Sequence, residues 1–247
     1  MAGKTTGIGD NFYIGGFDLS GNVASCQRIG GGPGSLDVTP INASGHVRLG
    51  GKRDGGIDFL SWFDPAAAAE HAALSPLLLT DQVATYFNQP AVGNPAASCI
   101  GKQVNYDPSR NADGSLTLTV QVLANGFGLE WGKQLTAGLR TDSAATTGAF
   151  FDDGAGTNFG GQAYFQLIAF SGTSVTIDIQ SATTSGGAYT TTGLTSQAFT
   201  AAPTSQRVQV ANNVTINEFL KVVTTGTFSN AVFAVQFTRN PIAGVVF

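Results

Sequence analysis

Residues that build metal cages and disulfide frameworks are scarce in this chain of 247 residues, which has two cysteines, Cys26 and Cys99, and two histidines, His46 and His71. That stock leaves a disulfide framework and a metal cage poorly supplied. Charge is thin as well, at 11% of residues, with 12 Lys+Arg against 16 Asp+Glu and a net charge of −4. A protein that grips nucleic acid by its phosphates carries a basic face, and this composition supplies none. No apolar run is long enough to span a bilayer, because residues 65–79 are interrupted by Glu70, His71 and Pro76. The opening Met1-Ala2-Gly3-Lys4-Thr5-Thr6-Gly7 has no apolar segment behind its positive charge, unlike a secretory signal. The expectation is a chain used without secretion, whose thiols stay reduced.

What is abundant points to a folded β protein. Hydrophobic residues reach 42%, too many for a disordered chain, and the 33 glycines follow no three-residue period. Apolar and polar residues alternate through Ser115-Leu116-Thr117-Leu118-Thr119-Val120-Gln121-Val122, which places Leu116, Leu118, Val120 and Val122 on one face of a strand. The same alternation runs through 175–180 and 233–238. Shorter strands are expected at 12–17, 57–63, 100–106, 164–170, 207–210 and 219–223, and 100–122 reads as a hairpin with a longish loop. One helix is expected near 65–75: Asp64 as its cap, Pro65 in the first turn, the alanines 66–69 behind it and Pro76 ending it.

The texture changes near residue 146. Before it stand nine Lys+Arg and twelve Asp+Glu; after it, three and four. The second part is rich in Thr, Ser, Gly and β-branched residues, the pattern of a small antiparallel sandwich. The expected division is 1–146, a β domain with the helix, and 147–247, a C-terminal β-sandwich.

Candidate chemistry is sparse. Gly3-Lys4-Thr5-Thr6 has the tail of a phosphate loop without the strand that must precede it. Gly30-Gly31-Gly32-Pro33-Gly34 reads as a flexible turn rather than an anion nest, since Pro33 removes a donor. Asp152-Asp153-Gly154 lacks the further oxygens of a calcium loop and reads as a solvated acidic turn. His46 and His71 stand near no nucleophile motif. No catalytic, cofactor or metal residue is assigned. Arg48, Lys52, Arg53 and Asp54 form the densest charge cluster, set among glycines in what reads as an exposed loop over 30–56.

Several motifs carry a family resemblance. Gly9-Asp10-Asn11-Phe12-Tyr13-Ile14-Gly15-Gly16-Phe17-Asp18-Leu19-Ser20-Gly21-Asn22-Val23 resembles the start of tail tube (major tail) proteins of long-tailed actinobacterial bacteriophages. Ser35-Leu36-Asp37-Val38-Thr39, Gly50-Gly51-Lys52-Arg53-Asp54-Gly55 and Phe59-Leu60-Ser61-Trp62-Phe63-Asp64 continue the similarity, which extends over residues 9–140. The resemblance implies a tail-tube-like β-sandwich or half-barrel with one flanking helix. It also implies a structural, non-enzymatic role in stacked, hexameric rings that conduct the genome, with no cofactor. The implied partners are further copies of the chain and the tape measure, tail terminator and distal tail proteins, with DNA passing through unbound and no membrane contact. The implied location is the virion tail, assembled in the host cytoplasm. In such proteins a loop between early strands reaches the adjacent ring, a role that falls here on Arg48, Lys52, Arg53 and Asp54. Gln162-Ala163-Tyr164-Phe165-Gln166, Gly172-Thr173-Ser174-Val175-Thr176, Phe219-Leu220-Lys221-Val222-Val223 and residues 232–239 resemble β-sandwich modules appended to phage structural proteins, some of which bind carbohydrate. The part after residue 146 has no tryptophan to stack on a sugar, so an exterior decoration is expected. A capsid decoration or head-fibre protein, or a carbohydrate-binding adhesin, are the alternative readings.

Overall fold

The computed structural model describes residues 6–241, and all but one of its regular elements are strands. β1 (Asn11–Ile14) turns at Gly15-Gly16 into β2 (Phe17–Asp18), and β3 (Val23–Asp37) folds back on β4 (Arg48–Trp62). After the helix α1 (Glu70–Leu74) come β5 (Gln82–Phe87), β6 (Pro95–Gln103), β7 (Asp107–Arg110), β8 (Leu116–Ala124) and β9 (Glu130–Gln134). The chain continues through β10 (Arg140–Asp142), β11 (Thr147–Asp152), β12 (Gly161–Ala182), β13 (Thr190–Thr195), β14 (Thr204–Gln209) and β15 (Phe219–Arg239). Every pairing is antiparallel, and the ladders run β13-β12-β15-β9-β6-β5-β1-β2 with a side sheet β3-β4-β8-β7 joined through β6. The mostly-β fold with one flanking helix is therefore the one that the alternating sequence implies.

Two main cores lie under these ladders. Leu118, Val120 and Val122 are completely buried, as their spacing requires, against Ile57, Phe59, Phe12, Leu19 and Cys99. Phe12 and Phe59 stack with ring centroids 4.6 Å apart. Val175, Ile177, Ile179, Phe233, Val235 and Phe237 line the second core, which also takes Leu135. Each such side chain contributes about 1.5–3 kcal/mol by leaving water.

Between the cores runs a buried polar seam. The Gln166 side chain accepts from Gly16 N–H (2.8 Å) and donates to the Val83 carbonyl (2.9 Å). Ser98 donates to Gln236 (2.5 Å), which donates to the Glu130 carbonyl (2.9 Å). Arg207 on β14 pairs with Glu130 on β9 at 2.8 Å, and Tyr164 on β12 donates to the same carboxylate at 2.5 Å. The guanidinium lies 3.7 Å from the Phe127 ring centroid. β9 and β10, both before residue 146, hydrogen-bond to β15. The two parts thus share a ladder and a satisfied polar network, which fixes how they sit together.

Several local expectations change. The alanine run does not become helix: Ala68 has φ +67° and α1 holds only five residues. Five residues cannot recover the nucleation cost alone, so α1 rests on tertiary contacts. Leu74 enters the first core, and His71 sits against Phe63 and bonds Tyr106 OH at 2.7 Å. Asp64 still accepts an N–H, but from Ala66 inside a turn. The segments expected as separate strands at 164–170 and 175–180 are one strand, β12, and those at 219–223 and 233–238 are one strand, β15. Their Gly/Ser/Thr-rich middles are register shifts near Leu167, Ser171 and Gly172 rather than turns. The hairpin expected over 100–122 forms between β7 and β8, while β6 meets β8 at only three positions. Asp153 is not a solvated turn residue, since it is 7% exposed and bonds Lys133 (2.6 Å) and Arg239 (2.7 Å). Gly3, Lys4 and Thr5 of the phosphate-loop-like sequence lie outside the described residues.

Candidate assembly interface

The segment 30–56 is not a loop but the outer part of the β3–β4 ribbon. Its pairing runs from Ile29↔Ile57 through Gly32↔Asp54 to Pro33↔Arg53 and, after a register shift between Pro33 and Ser35, on to Leu36↔Leu49 and Asp37↔Arg48. Glycines on both strands disguise the pattern, because they add no side chain to an alternation. The ribbon leaves the body at Gly55, where an added Cβ would stand 2.6 Å from the Leu129 amide nitrogen, so only glycine allows this close approach. Beyond this point residues 31–40 and 44–50 are all exposed. Eight residues from Gly56 to Arg48, at about 3.3 Å each, carry the ribbon about 25 Å from the body.

The tip is locally ordered. Val38 N–H donates to the Val47 carbonyl (2.9 Å), and Val47 N–H donates to Thr39 Oγ1 (2.8 Å). The hydroxyl and amide of Thr39 hold the Asp37 carboxyl below the usual carboxylate range, and His46 Nδ1 lies 3.0 Å from the same group. Arg48 and Lys52 are exposed and make no ion pair among the described residues. Arg53 and Asp54 sit lower, where the Asp54 carboxylate accepts from Gly55 N–H (2.7 Å) and Arg53 packs against the position of Gly128. The four charged residues therefore share one strand but spread along the arm rather than forming one cluster.

The charges are not the arm's main feature. Leu36, Val38, Ile41, Val47 and Leu49 are 45–108% exposed and gather at its end. The sequence held a signal for them, since Leu36/Val38 and Val47/Leu49 are spaced by two on either side of the turn residues Thr39 to His46. An isolated two-stranded ribbon is marginal in water.

The arm grows out of the four-stranded sheet β3-β4-β8-β7. One face of that sheet is the first core. The other presents the rows Ser25–Leu60–Thr119–Asp107, Arg28–Asp58–Gln121 and Trp62–Thr117–Ser109. Hydroxyl and amide groups supply half of those positions, and Arg28 faces Asp58 at 3.9 Å. Among the described residues the outer edges of β3 and β7 pair with nothing. Pro108 removes one donor from the β7 strand.

No group of three or more His, Cys, Asp or Glu side chains is assembled to hold a metal ion among the described residues. Both cysteines are free, and burial raises their thiols, Cys26 to about 11 and Cys99 to about 12, which disfavours the thiolate at neutral pH. No helix among the described residues is long and apolar enough to cross a membrane.

No family model and no curated protein matches this chain. Among solved structures, a chain from the tail of an empty GTA particle with C6 symmetry is similar at 15% identity and TM-score 0.37, covering 45% of this chain and 84% of that one. The SPP1 Dit protein, described as a hub adsorption apparatus of phages infecting Gram-positive hosts, is similar at 12% identity and TM-score 0.33, over 93% and 99% of the two chains. A chain of the phage p2 baseplate in its activated conformation with Sr is similar at 8% identity and TM-score 0.32, over 95% and 99%. At these scores the overlap is loose.

Proposed function

We propose that this chain is a structural subunit of a bacteriophage tail, the tail tube subunit, whose copies close into rings and stack into a conduit for DNA. The observation that carries this reading is the exposed arm, 25 Å or so of ribbon ending in five aliphatic side chains. Burying half of each on a neighbouring ring contributes roughly 4–7 kcal/mol per arm, enough to offset part of the cost of association. Repetition around a ring multiplies the contact.

The side sheet supports ring closure. Its two outer edges are open, and an open edge is a template for another strand. Six four-stranded sheets would make a barrel of about 24 strands. At a spacing of about 4.8 Å and a tilt of about 40°, its wall is about 48 Å across, wide enough for duplex DNA. The hydroxyl- and amide-rich face would line that channel. Its Arg28 already faces Asp58, so passing phosphates meet no unpaired cationic row. The reading needs no cofactor and no catalytic residue, and it places the protein in the virion with further copies and other tail proteins as partners.

Electron microscopy of the purified chain tests the reading. Tubes or rings are expected from the wild type. Leu36→Asp with Leu49→Asp should leave the subunit folded, because both side chains are exposed, and should stop ring stacking. Arg48→Glu with Arg53→Glu should shorten tubes at low salt, with recovery where the repulsion is screened. Wild-type tube lengths from the Leu36/Leu49 double variant would refute the stacking role of the arm.

A further inference from the structure

Trp131 stands in a second surface feature, remote in sequence from the arm. It is 51% exposed on β9, two residues from Lys133 and therefore on the same face. Continuing the register Phe237↔Lys133 by two residues places Arg239 of β15 opposite Trp131. Pro95, Trp131, Lys133, Asp153, Phe237 and Arg239 line a shallow depression of about 310 Å³. Between them Gly132 lets β15 approach closely, since an added Cβ would stand 2.1 Å from the Phe237 carbonyl oxygen.

The polar groups here are held rigidly. The Asp153 carboxylate bonds Lys133 Nζ through one oxygen (2.6 Å) and Arg239 Nε through the other (2.7 Å). Arg239 is fixed in turn by the carbonyls of Ile216 (2.7 Å) and Asn217 (3.1 Å). Lys133 Nζ also donates to the Asp153 carbonyl (3.3 Å), which leaves the third proton of this 43% exposed side chain for a ligand, and each Asp153 oxygen keeps a lone pair. The indole beside them offers a flat apolar face with a polar N–H at its edge.

We propose that Trp131, Lys133 and Asp153 form a binding platform for a neutral pyranose unit, with the sugar's C–H face on the indole and its hydroxyls on the carboxylate and ammonium. A purely apolar partner would strip water from the ion-paired network without replacing its hydrogen bonds. A simple anion would meet the Asp153 carboxylate and leave the indole unused. A pyranose supplies both the apolar face and the hydroxyls, and the depression is of the size of one ring. The platform lies on other strands than the arm, so this inference stands apart from the tube reading.

The chain has two tryptophans, so Trp62→Phe leaves Trp131 as the single reporter. Titration of that variant with maltohexaose, cellohexaose and N-acetylchitohexaose should give saturable quenching with at least one of them. By isothermal titration, Trp131→Ala should bind that oligosaccharide at least tenfold more weakly, and Lys133→Met should also weaken it, while tubes still grow. Absence of a saturable response to all three oligosaccharides would overturn the proposal. So would Trp131→Ala that binds as the wild type does, or that loses ring assembly with no saccharide response in the parent, the mark of a subunit contact.

Discussion

Arg207 offers the sharpest test of how the two parts of the chain are held. Its side chain is 4% exposed and that of Glu130 is fully buried. The guanidinium donates to Glu130 (2.8 Å), to Tyr164 OH (3.0 Å) and to Gln209 (3.0 Å). Arg207→Met keeps much of the volume over Phe127 but leaves the Glu130 carboxylate buried with only the Tyr164 hydroxyl. Breaking a buried pair in this way costs about 3–5 kcal/mol, a large share of the roughly 5–15 kcal/mol that holds a typical domain. Removing the whole polar group is a different perturbation. Glu130→Leu, Arg207→Met and Tyr164→Phe together leave no orphaned charge, so the triple variant should recover most of the loss. Urea unfolding followed by circular dichroism measures both, with the midpoint and slope read together. A single variant that costs under about 1 kcal/mol, or a triple variant as unstable as the single, would refute the view that desolvation of Glu130 dominates.

Two further outcomes follow from the same structure. Glu70 is buried on α1 beside Asp64, and burial lifts its carboxyl above the ordinary glutamate range despite a hydrogen bond from Asn22. A raised acid stabilises the fold fully below its unfolded pKa, and that contribution fades as pH rises through the folded value. Glu70→Gln should therefore flatten the decline in melting temperature as pH rises above the ordinary glutamate range, and parallel curves for the two proteins would count against it. A chain cut after Thr141 loses the β9–β15 and β10–β15 ladders and strips the buried Glu130 carboxylate of both Tyr164 and Arg207. It should show no cooperative thermal transition by calorimetry, and a sharp transition would show that the first part folds alone.

Strands with strict alternation were legible because a residue's face depends only on parity. Leu118, Val120 and Val122 are buried for that reason, as are Val175, Ile177 and Ile179. The arm was not legible as strand, because glycines at 30–32, 34, 50–51 and 55–56, with Pro33 among them, interrupt the alternation that its tip residues keep. The helix was overextended because propensity favours alanine, whereas a single residue, Ala68, takes a conformation that ends any helix there. Joining 164–170 to 175–180 requires bulges, whose position depends on the partner strand rather than on the residues themselves.

By itself, then, the sequence determined the β class and the two apolar faces, since both follow from composition and a period of two. It also held the family resemblance on which the arm's role was expected. The tertiary structure decided the rest. It turned an apparent loop into a projecting ribbon with a greasy tip, because strand pairing is a property of two segments at once. It tied 1–146 to 147–247 through buried side chains more than a hundred residues apart, such as Ser98 and Gln236. And it set Trp131 beside Asp153 and Arg239, a neighbourhood that exists only because β9 lies against β15.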